Sequence, residues 1–175
     1  MGQRSFFWSS VNSGVQEPFQ LEITTLSASQ TVTIPHLTGY VYNYTIDYGD
    51  GSPLGSVTGY TDTACTHIYA VASGYTVSIV GTCETIYYNN GTQKLTVTKV
   101  LNWGTVGFKL IDFNSCTNLT SVVSDTYAGL SLVTNFSQTF YNCTKLTTLP
   151  NNLFRYNTDV TSFSYAFYNC KSLTT

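Results

Sequence analysis

A repeat with a fixed period limits what this chain can fold into more than any other feature of its sequence. The pattern Phe-x-x-Cys-x-x-Leu-Thr occurs three times in the second half, as "FNSCTNLT", "FYNCTKLT" and "FYNCKSLT", and successive copies begin 27 residues apart. A period in this range is typical of repeat proteins, in which one short unit cannot bury its own apolar face and covers its neighbour instead. The sequence therefore predicts stacked copies over residues 103–175.

Equivalent side chains of successive copies should stack as a ladder in such an array. Cysteine at a stacked position behaves more often as a small buried apolar residue than as a reactive thiol. The third copy reaches Thr175 without a polar cap, which predicts an array that continues beyond residue 175. The predicted ladder positions are Phe113, Cys116, Leu119, Phe140, Cys143, Leu146, Phe167, Cys170 and Leu173.

Composition predicts a mostly β protein. Charged residues make up 9% of the 175 residues, against about 25% in an ordinary globular protein, and Thr, Tyr and Val are residues that favour strands. The net charge is −2 and the seven basic residues are scattered, so we expect no nucleic-acid partner. No apolar run approaches the ~20 residues of a membrane span, so we expect no such span.

Residues 17–102 contain short alternating runs separated by turn signals such as "DGSPLG" and "NNG". Several short strands in this arrangement predict a β-sandwich. Three blocks in this region, "YTIDYGDGS" at 44–52, "THIY" at 66–69 and "GYTVSIVG" at 74–81, occur in the order found in the PKD-type immunoglobulin-like domain, which the region resembles. Tyr48 stands where that family commonly has Trp. The resemblance implies an Ig-like fold.

The residues of these blocks agree with that fold. Gly49 and Gly51 permit the positive φ of a tight turn, and Asp50 can accept hydrogen bonds from backbone amides in the turn. Tyr69 and Tyr75 should place their rings in the sandwich while their hydroxyls reach a partner.

Catalytic and metal-binding patterns are not found in the sequence. Asp47 and Asp50 could offer oxygen ligands to Ca²⁺, but Ca²⁺ takes six or more, so we predict no metal and no cofactor. His67 is expected to be packed and hydrogen-bonded. No Gly-x-Ser-x-Gly, His-Glu-x-x-His or phosphate-loop pattern occurs, and the chain is predicted not to be an enzyme. The alternative is a pair of glycosidase carboxylates drawn from Asp112, Asp125 and Asp159.

Two of the five cysteines lie outside the repeat. Cys65 and Cys83 either pair, if their strands are neighbours, or remain free thiols; five is an odd count, which does not favour a disulfide framework. No pair has the Cys-x-x-Cys spacing of a zinc site.

The second half resembles the BspA-like leucine-rich repeats of bacterial surface proteins. The resemblance rests on the repeated motif and on "VTNFS" and "VTSFS" upstream of its second and third copies. It implies a leucine-rich-repeat solenoid after the sandwich, a pairing similar to one in surface proteins of gut bacteria and in structural proteins of their phages. Trp103 is expected to cap the first coil. Lys109 departs from the pattern, because Phe136 and Phe163 occupy the same place in later copies.

Residues 1–16 are predicted to form an N-terminal anchoring arm. Phe6, Phe7 and Trp8 are the candidate anchoring residues, which either dock into another protein or close one end of the following domain. The start lacks the apolar stretch of a secretory signal, so either Met1 replaces a removed signal or the protein carries none.

Exposed tyrosines among short polar residues suit a binding surface, as in antibody paratopes. The candidate recognition residues are Tyr141, Tyr156, Tyr165 and Tyr168; the alternative is that half of them stack inside the array.

The predicted function is therefore a non-enzymatic structural and adhesion protein. We favour a phage fibre or decoration protein on the virion surface, which binds assembly proteins through its arm, presents its repeats to a host-surface protein or glycan, and could form a homo-oligomer. A secreted or cell-surface bacterial adhesin is the alternative.

Overall fold

The computed structural model describes residues 15–90 and 93–174. These residues are mostly β, which confirms the expectation from composition. Three single turns of 3-10 helix, Thr63–Cys65, Tyr88–Asn90 and Gln93–Leu95, lie between strands. The strands are β1 Phe19–Thr24, β2 Gln30–Thr33, β3 Tyr42–Asp47, β4 Gly55–Val57, β5 Thr66–Tyr69, β6 Gly74–Cys83, β7 Thr85–Tyr87, β8 Val97–Asn102 and β9 Leu110–Asp112. No helix of the described residues is long and apolar enough to cross a membrane.

Two antiparallel sheets build the front half, an arrangement consistent with a β-sandwich. The larger sheet has five strands in the order β4-β3-β6-β1-β8, and the smaller pairs β2 with β5. Side chains alternate between the two faces of a strand, and Phe19, Leu21 and Ile23 of β1 are fully buried while their neighbours are half-buried. The inner face of the large sheet therefore carries the core.

The turn after β3 has the conformation that its glycines predict. Gly49 and Gly51 have φ values of 78° and 85°, which confirms the expected positive φ. A Cβ atom on Gly49 would lie 2.3 Å from the carbonyl oxygen of Thr76, so no other residue fits there. Asp50 Oδ1 accepts a hydrogen bond from the Ser52 N–H at 3.0 Å, as predicted for this turn.

Tyrosine rings fill the sandwich as the sequence predicts. The Tyr69 hydroxyl donates to the Tyr48 carbonyl oxygen at 2.8 Å, and the Tyr75 hydroxyl donates to the Val71 carbonyl oxygen at 2.7 Å. The rings of Tyr69 and Tyr75 stack with centroids 4.2 Å apart. Each ring thus contributes apolar packing while its hydroxyl is satisfied.

Copies of the repeat are joined by backbone hydrogen bonds. The N–H of Phe113 donates to the Thr139 carbonyl oxygen at 2.7 Å, and the N–H of Phe140 donates to the Ala166 carbonyl oxygen at 2.9 Å. The motif phenylalanines therefore donate forward, to the following copy.

The threonine that ends each motif bonds in the opposite direction. Thr147 donates both its N–H and its hydroxyl to the Thr120 carbonyl oxygen, each at 3.1 Å, and Thr174 does the same to Thr147 at 3.0 and 3.3 Å. Thr120 donates to the Thr98 carbonyl oxygen at 2.8 Å from its N–H and 3.0 Å from its hydroxyl. Thr98 belongs to β8, so this edge strand of the large sheet accepts the first hydrogen bonds of the threonine series.

The two halves share a continuous apolar core. Trp103 is 1% exposed; its ring centroid lies 6.3 Å from that of Phe19 and 6.2 Å from that of Phe113. Its Nε1 donates to the Val123 carbonyl oxygen at 2.8 Å. Strand β7 of the front half pairs in parallel with β9 of the back half. The sequence pattern changes between residues 102 and 103, but the apolar packing continues across this boundary.

The departure at Lys109 has a structural reason. Phe136 and Phe163 stack on each other with centroids 5.2 Å apart. Lys109, at the same place in the first copy, meets the front half, where its Nζ lies 2.6 Å from Glu84 Oε1. An ion pair replaces ring stacking where the repeats contact the sandwich.

Candidate functional site

Three tyrosines of the last two copies form an exposed cluster, named here the tyrosine cluster. The rings of Tyr141 and Tyr168 stack with centroids 5.0 Å apart, and Tyr165 meets Tyr168 edge-on at 6.0 Å. Tyr165 and Tyr168 are 65% and 55% exposed, whereas Tyr141 is half-buried. The cluster offers hydroxyl groups and ring surface to solvent.

Left-handed residues at repeated positions hold the cluster in place. Asn142 and Asn169, which follow the stacked tyrosines, both have a φ of 60°, and Tyr165 itself has a φ of 56°. Asn tolerates this conformation better than most residues, and the Asn169 side-chain amide donates to Asn142 Oδ1. The repeated turn therefore places Tyr141 and Tyr168 side by side.

No family model, curated protein or solved structure matches this chain. Its function must be argued from its own residues.

Tyr156 lies apart from the other candidate recognition residues. The guanidinium carbon of Arg155 is 4.6 Å from the centre of its ring, a cation–π distance. The structure thus brings three of the four predicted tyrosines together. The alternative of internal stacking applies to Tyr141, since Tyr168 covers one face of its ring.

The phenylalanine positions of the ladder form one stack. Ring centroids of Phe113 and Phe140 are 5.9 Å apart, and those of Phe140 and Phe167 are 5.7 Å apart, with interplanar angles of 2° and 10°. The other six ladder residues are all packed in or against the same core. Four of them are fully buried: Cys116, Leu119, Cys143 and Leu146.

The cysteines of the repeat are structural. Cys143 donates its thiol to the Phe113 carbonyl oxygen at 3.2 Å, and Cys170 donates to that of Phe140 at 3.0 Å. Burial raises the pKa of the Cys143 thiol far above its ordinary value, so it stays protonated and unreactive. Cys65 and Cys83 are free thiols rather than a pair.

Two of the three candidate carboxylates accept backbone hydrogen bonds within their own loops. Asp125 is fully buried and accepts hydrogen bonds from the Gly129 and Leu130 N–H groups at 2.8 and 3.0 Å. Asp112 accepts from the Asn114 N–H, and burial raises its pKa to about 6. Asp159 is exposed. No contact joins the three in the described part of the chain, where no group of three or more acidic, histidine or cysteine side chains could hold a metal ion.

The turn carboxylates are engaged by the protein. Asp47 Oδ1 accepts from the Gly49 N–H at 2.8 Å, and Asp50 Oδ2 lies 2.7 Å from His67 Nε2. Partial burial raises the pKa of Asp50, but hydrogen bonds from Ser52 and His67 outweigh it and lower the pKa to about 2. The His67 ring also stacks on Tyr48, with centroids 4.4 Å apart. His67 is packed and hydrogen-bonded, as expected.

The candidate anchoring residues Phe6, Phe7 and Trp8 lie outside the described residues. Their role stays a prediction.

His36 is a titratable residue that no sequence motif identified. Its Nε2 shares a hydrogen bond of 2.8 Å with the Tyr44 hydroxyl, and its ring stacks on Tyr42 with centroids 3.9 Å apart. Burial lowers its pKa to about 4, although the nearby Asp62 carboxylate favours the charged form. His36 is therefore neutral in the folded protein at neutral pH.

Replacing His36 with glutamine should remove a pH-dependent part of the stability. Unfolded histidine takes up a proton near pH 6.5, whereas folded His36 does so near 4. Its contribution is therefore fully present above pH 6.5 and is lost as the pH falls through this window. We expect the stability difference between wild type and His36→Gln to shrink by about 1–2 kcal/mol from pH 7 to 4.

Urea unfolding of both proteins across this range measures the difference. Asp112 acts in the opposite direction, because its raised pKa makes protonation favour the folded state between about pH 6 and 3.8. Asp112 is present in both proteins, so its effect cancels in the comparison. A difference that does not change with pH would contradict the role given to His36.

Proposed function

We propose that this protein is a non-enzymatic display and recognition protein. A PKD-like sandwich would carry BspA-like leucine-rich repeats stacked as a solenoid, and the repeats would bind a host-surface protein or glycan. The observation that carries the proposal is the exposed tyrosine cluster on a hydrogen-bonded backbone. The stacked aromatic core and the forward backbone hydrogen bonds support the solenoid.

The cluster has the properties of a recognition surface. Tyrosine gives a large contact area at a low entropy cost, because its side chain has only two rotatable angles. Tyr165 and Tyr168 are ordered by each other and by the turn below them before any ligand arrives. Such preorganisation lowers the cost of binding.

Attachment to a virion is favoured over secretion by the state of the cysteines. All five thiols are free, and four of them are buried. Free thiols suit a protein that folds in a reducing cytoplasm, as a phage structural protein would, whereas exported proteins meet oxidising conditions. We propose residues 1–16 as the attachment arm. Mass spectrometry of purified virions, compared with washed bacterial cells, distinguishes a virion protein from a bacterial adhesin.

Changing Tyr165 and Tyr168 together to serine should reduce binding to the receptor by tenfold or more. Exposed aromatic residues that become buried in an interface commonly contribute this much to affinity. The measurement is the binding of labelled protein to a panel of bacterial cells and to immobilised glycans. Because both rings are more than half exposed, stability should change little.

Tyr156→Ser is the matched control. Tyr156 lies in the same array but is in ring contact with none of the other three tyrosines, so its loss should leave binding unchanged. Equal binding by the double variant and wild type would refute the cluster as the recognition surface. Release of sugar from any glycan that binds would refute a non-enzymatic role.

A further inference from the structure

We propose that the outer face of the five-stranded sheet holds a second binding site, which takes a single neutral sugar ring. The site is a cavity of about 230 Å³ between this face and the loop that follows β3. It belongs to the front half and shares no residue with the tyrosine cluster.

A row of polar side chains crosses three strands at the floor of this cavity. Ser78 of β6 lies directly opposite Asp47 of β3 on one side and Gln20 of β1 on the other. Side chains of directly paired residues project from the same face of a sheet. The alternate residues Ile46, Ile79 and others of these strands are buried, so this row faces away from the core.

Apolar groups line the other side of the cavity. Val80 lies opposite Thr45 in the neighbouring row of the sheet, and Pro18 and Leu54 complete the lining. Leu54 lies in a turn, a position that a polar residue could also occupy, and its side chain is 47% exposed. The cavity therefore has a polar floor beside an apolar wall.

The polar floor has unused hydrogen-bonding capacity. Ser78 Oγ accepts from Gln20 Nε2 at 3.0 Å, which leaves the hydroxyl hydrogen of Ser78 and the amide oxygen of Gln20 available. Asp47 uses one oxygen for the Gly49 N–H, so its other oxygen can accept from a ligand. Donors and acceptors thus alternate along the row.

This mixture selects the class of ligand. A sugar hydroxyl both donates and accepts, so adjacent hydroxyls can satisfy Asp47, Ser78 and Gln20 in sequence. A simple ammonium group donates only and would leave the Ser78 hydroxyl without an acceptor. An apolar ligand would bury the second oxygen of the Asp47 carboxylate without a partner, which is costly.

Shape and size agree with a single pyranose ring. Such a ring has hydroxyls at its rim and C–H groups on its faces, which match the polar floor and the wall of Val80, Pro18 and Leu54. Cavities for drug-sized ligands are about 300–1,000 Å³, and this cavity is smaller. One sugar residue, free or at the end of a glycan, is the ligand that fits.

Amide NMR titration of the full chain with methyl glycosides of glucose, galactose and N-acetylglucosamine tests the proposal. We expect at least one sugar to shift the backbone signals of Thr45, Asp47, Ser78 and Val80 in a saturable way. Ser78→Ala should weaken that binding about three- to tenfold. Thr82→Val is the matched control, because Thr82 is exposed on the same strand and face but outside the cavity, and it should leave binding unchanged.

The alternatives have distinct outcomes. If no sugar shifts these signals, the proposal is wrong. If methylammonium shifts them, Asp47→Asn abolishes the effect and Ser78→Ala does not, the site takes a cation and the sugar assignment is overturned. The same titration on the Tyr165→Ser and Tyr168→Ser double variant should be unchanged, so failure of this site and failure of the tyrosine cluster can be told apart.

Discussion

Replacing Phe140 with alanine should lower the free energy of unfolding by about 3–5 kcal/mol, as expected when a fully buried ring is removed. Phe140 is 1% exposed and lies between Phe113 and Phe167, in parallel contact with both. The alanine leaves a cavity between two rings whose positions are fixed by backbone hydrogen bonds, so neither ring can close it. Urea unfolding followed by fluorescence measures the loss.

Phe163→Ala provides the comparison for this prediction. Phe163 occupies a repeated position in the same array and stacks on Phe136, but it is 42% exposed. We expect a loss of about 1 kcal/mol, because the Phe163 ring buries less apolar surface on folding than the Phe140 ring does. Equal losses for the two variants would show that the phenylalanine stack contributes less to the stability than its burial indicates.

A chain that ends at Asn102 should fail to unfold cooperatively, although residues 17–102 resemble a complete domain. Phe19 loses the rings of Trp103 and Phe108, which lie 6.3 and 5.0 Å away between centroids. Strand β7 loses β9, with which it pairs. The truncated chain would therefore expose rings that are fully buried in the whole protein.

Thermal unfolding followed by near-ultraviolet circular dichroism tests this prediction. A chain that ends at Pro150 is the control, because it retains Trp103, Phe108 and β9 and loses only the third copy of the motif. It should unfold cooperatively at a lower temperature than the full chain. A cooperative transition of the shorter fragment near that of the full chain would mean that the front half is an independent domain.

Features that depend on local geometry could be predicted from the sequence. The 27-residue period identified the rings that stack, because Phe113, Phe140 and Phe167 occupy the same position in successive copies of the repeat. The conformations of Gly49 and Gly51 followed from their place in a tight turn, since a side chain at Gly49 would collide with the adjacent strand.

Features that depend on strand register could not be predicted. Asp47, Ser78 and Gln20 lie far apart in sequence, and only the pairing of three strands brings them into one row. The sequence shows that Lys109 departs from the repeat pattern, but its ion-pair partner Glu84 is determined by the packing of the two halves. Tyr156 shares its residue type with the cluster, and no sequence pattern separates it from Tyr165.

The pairing of β8 with the first copy of the repeat protects an otherwise open sheet edge. A strand at such an edge presents unpaired N–H and carbonyl groups that invite aggregation, but here Lys99 pairs with Ser121, which pairs in turn with Thr148. In the proposed solenoid, the front half would take the place of the polar cap that repeat arrays need at their first unit. Thr120 bonds back to Thr98 of β8 and Thr147 bonds back to Thr120, so these hydrogen bonds continue the edge of the large sheet into the second half of the chain without a break.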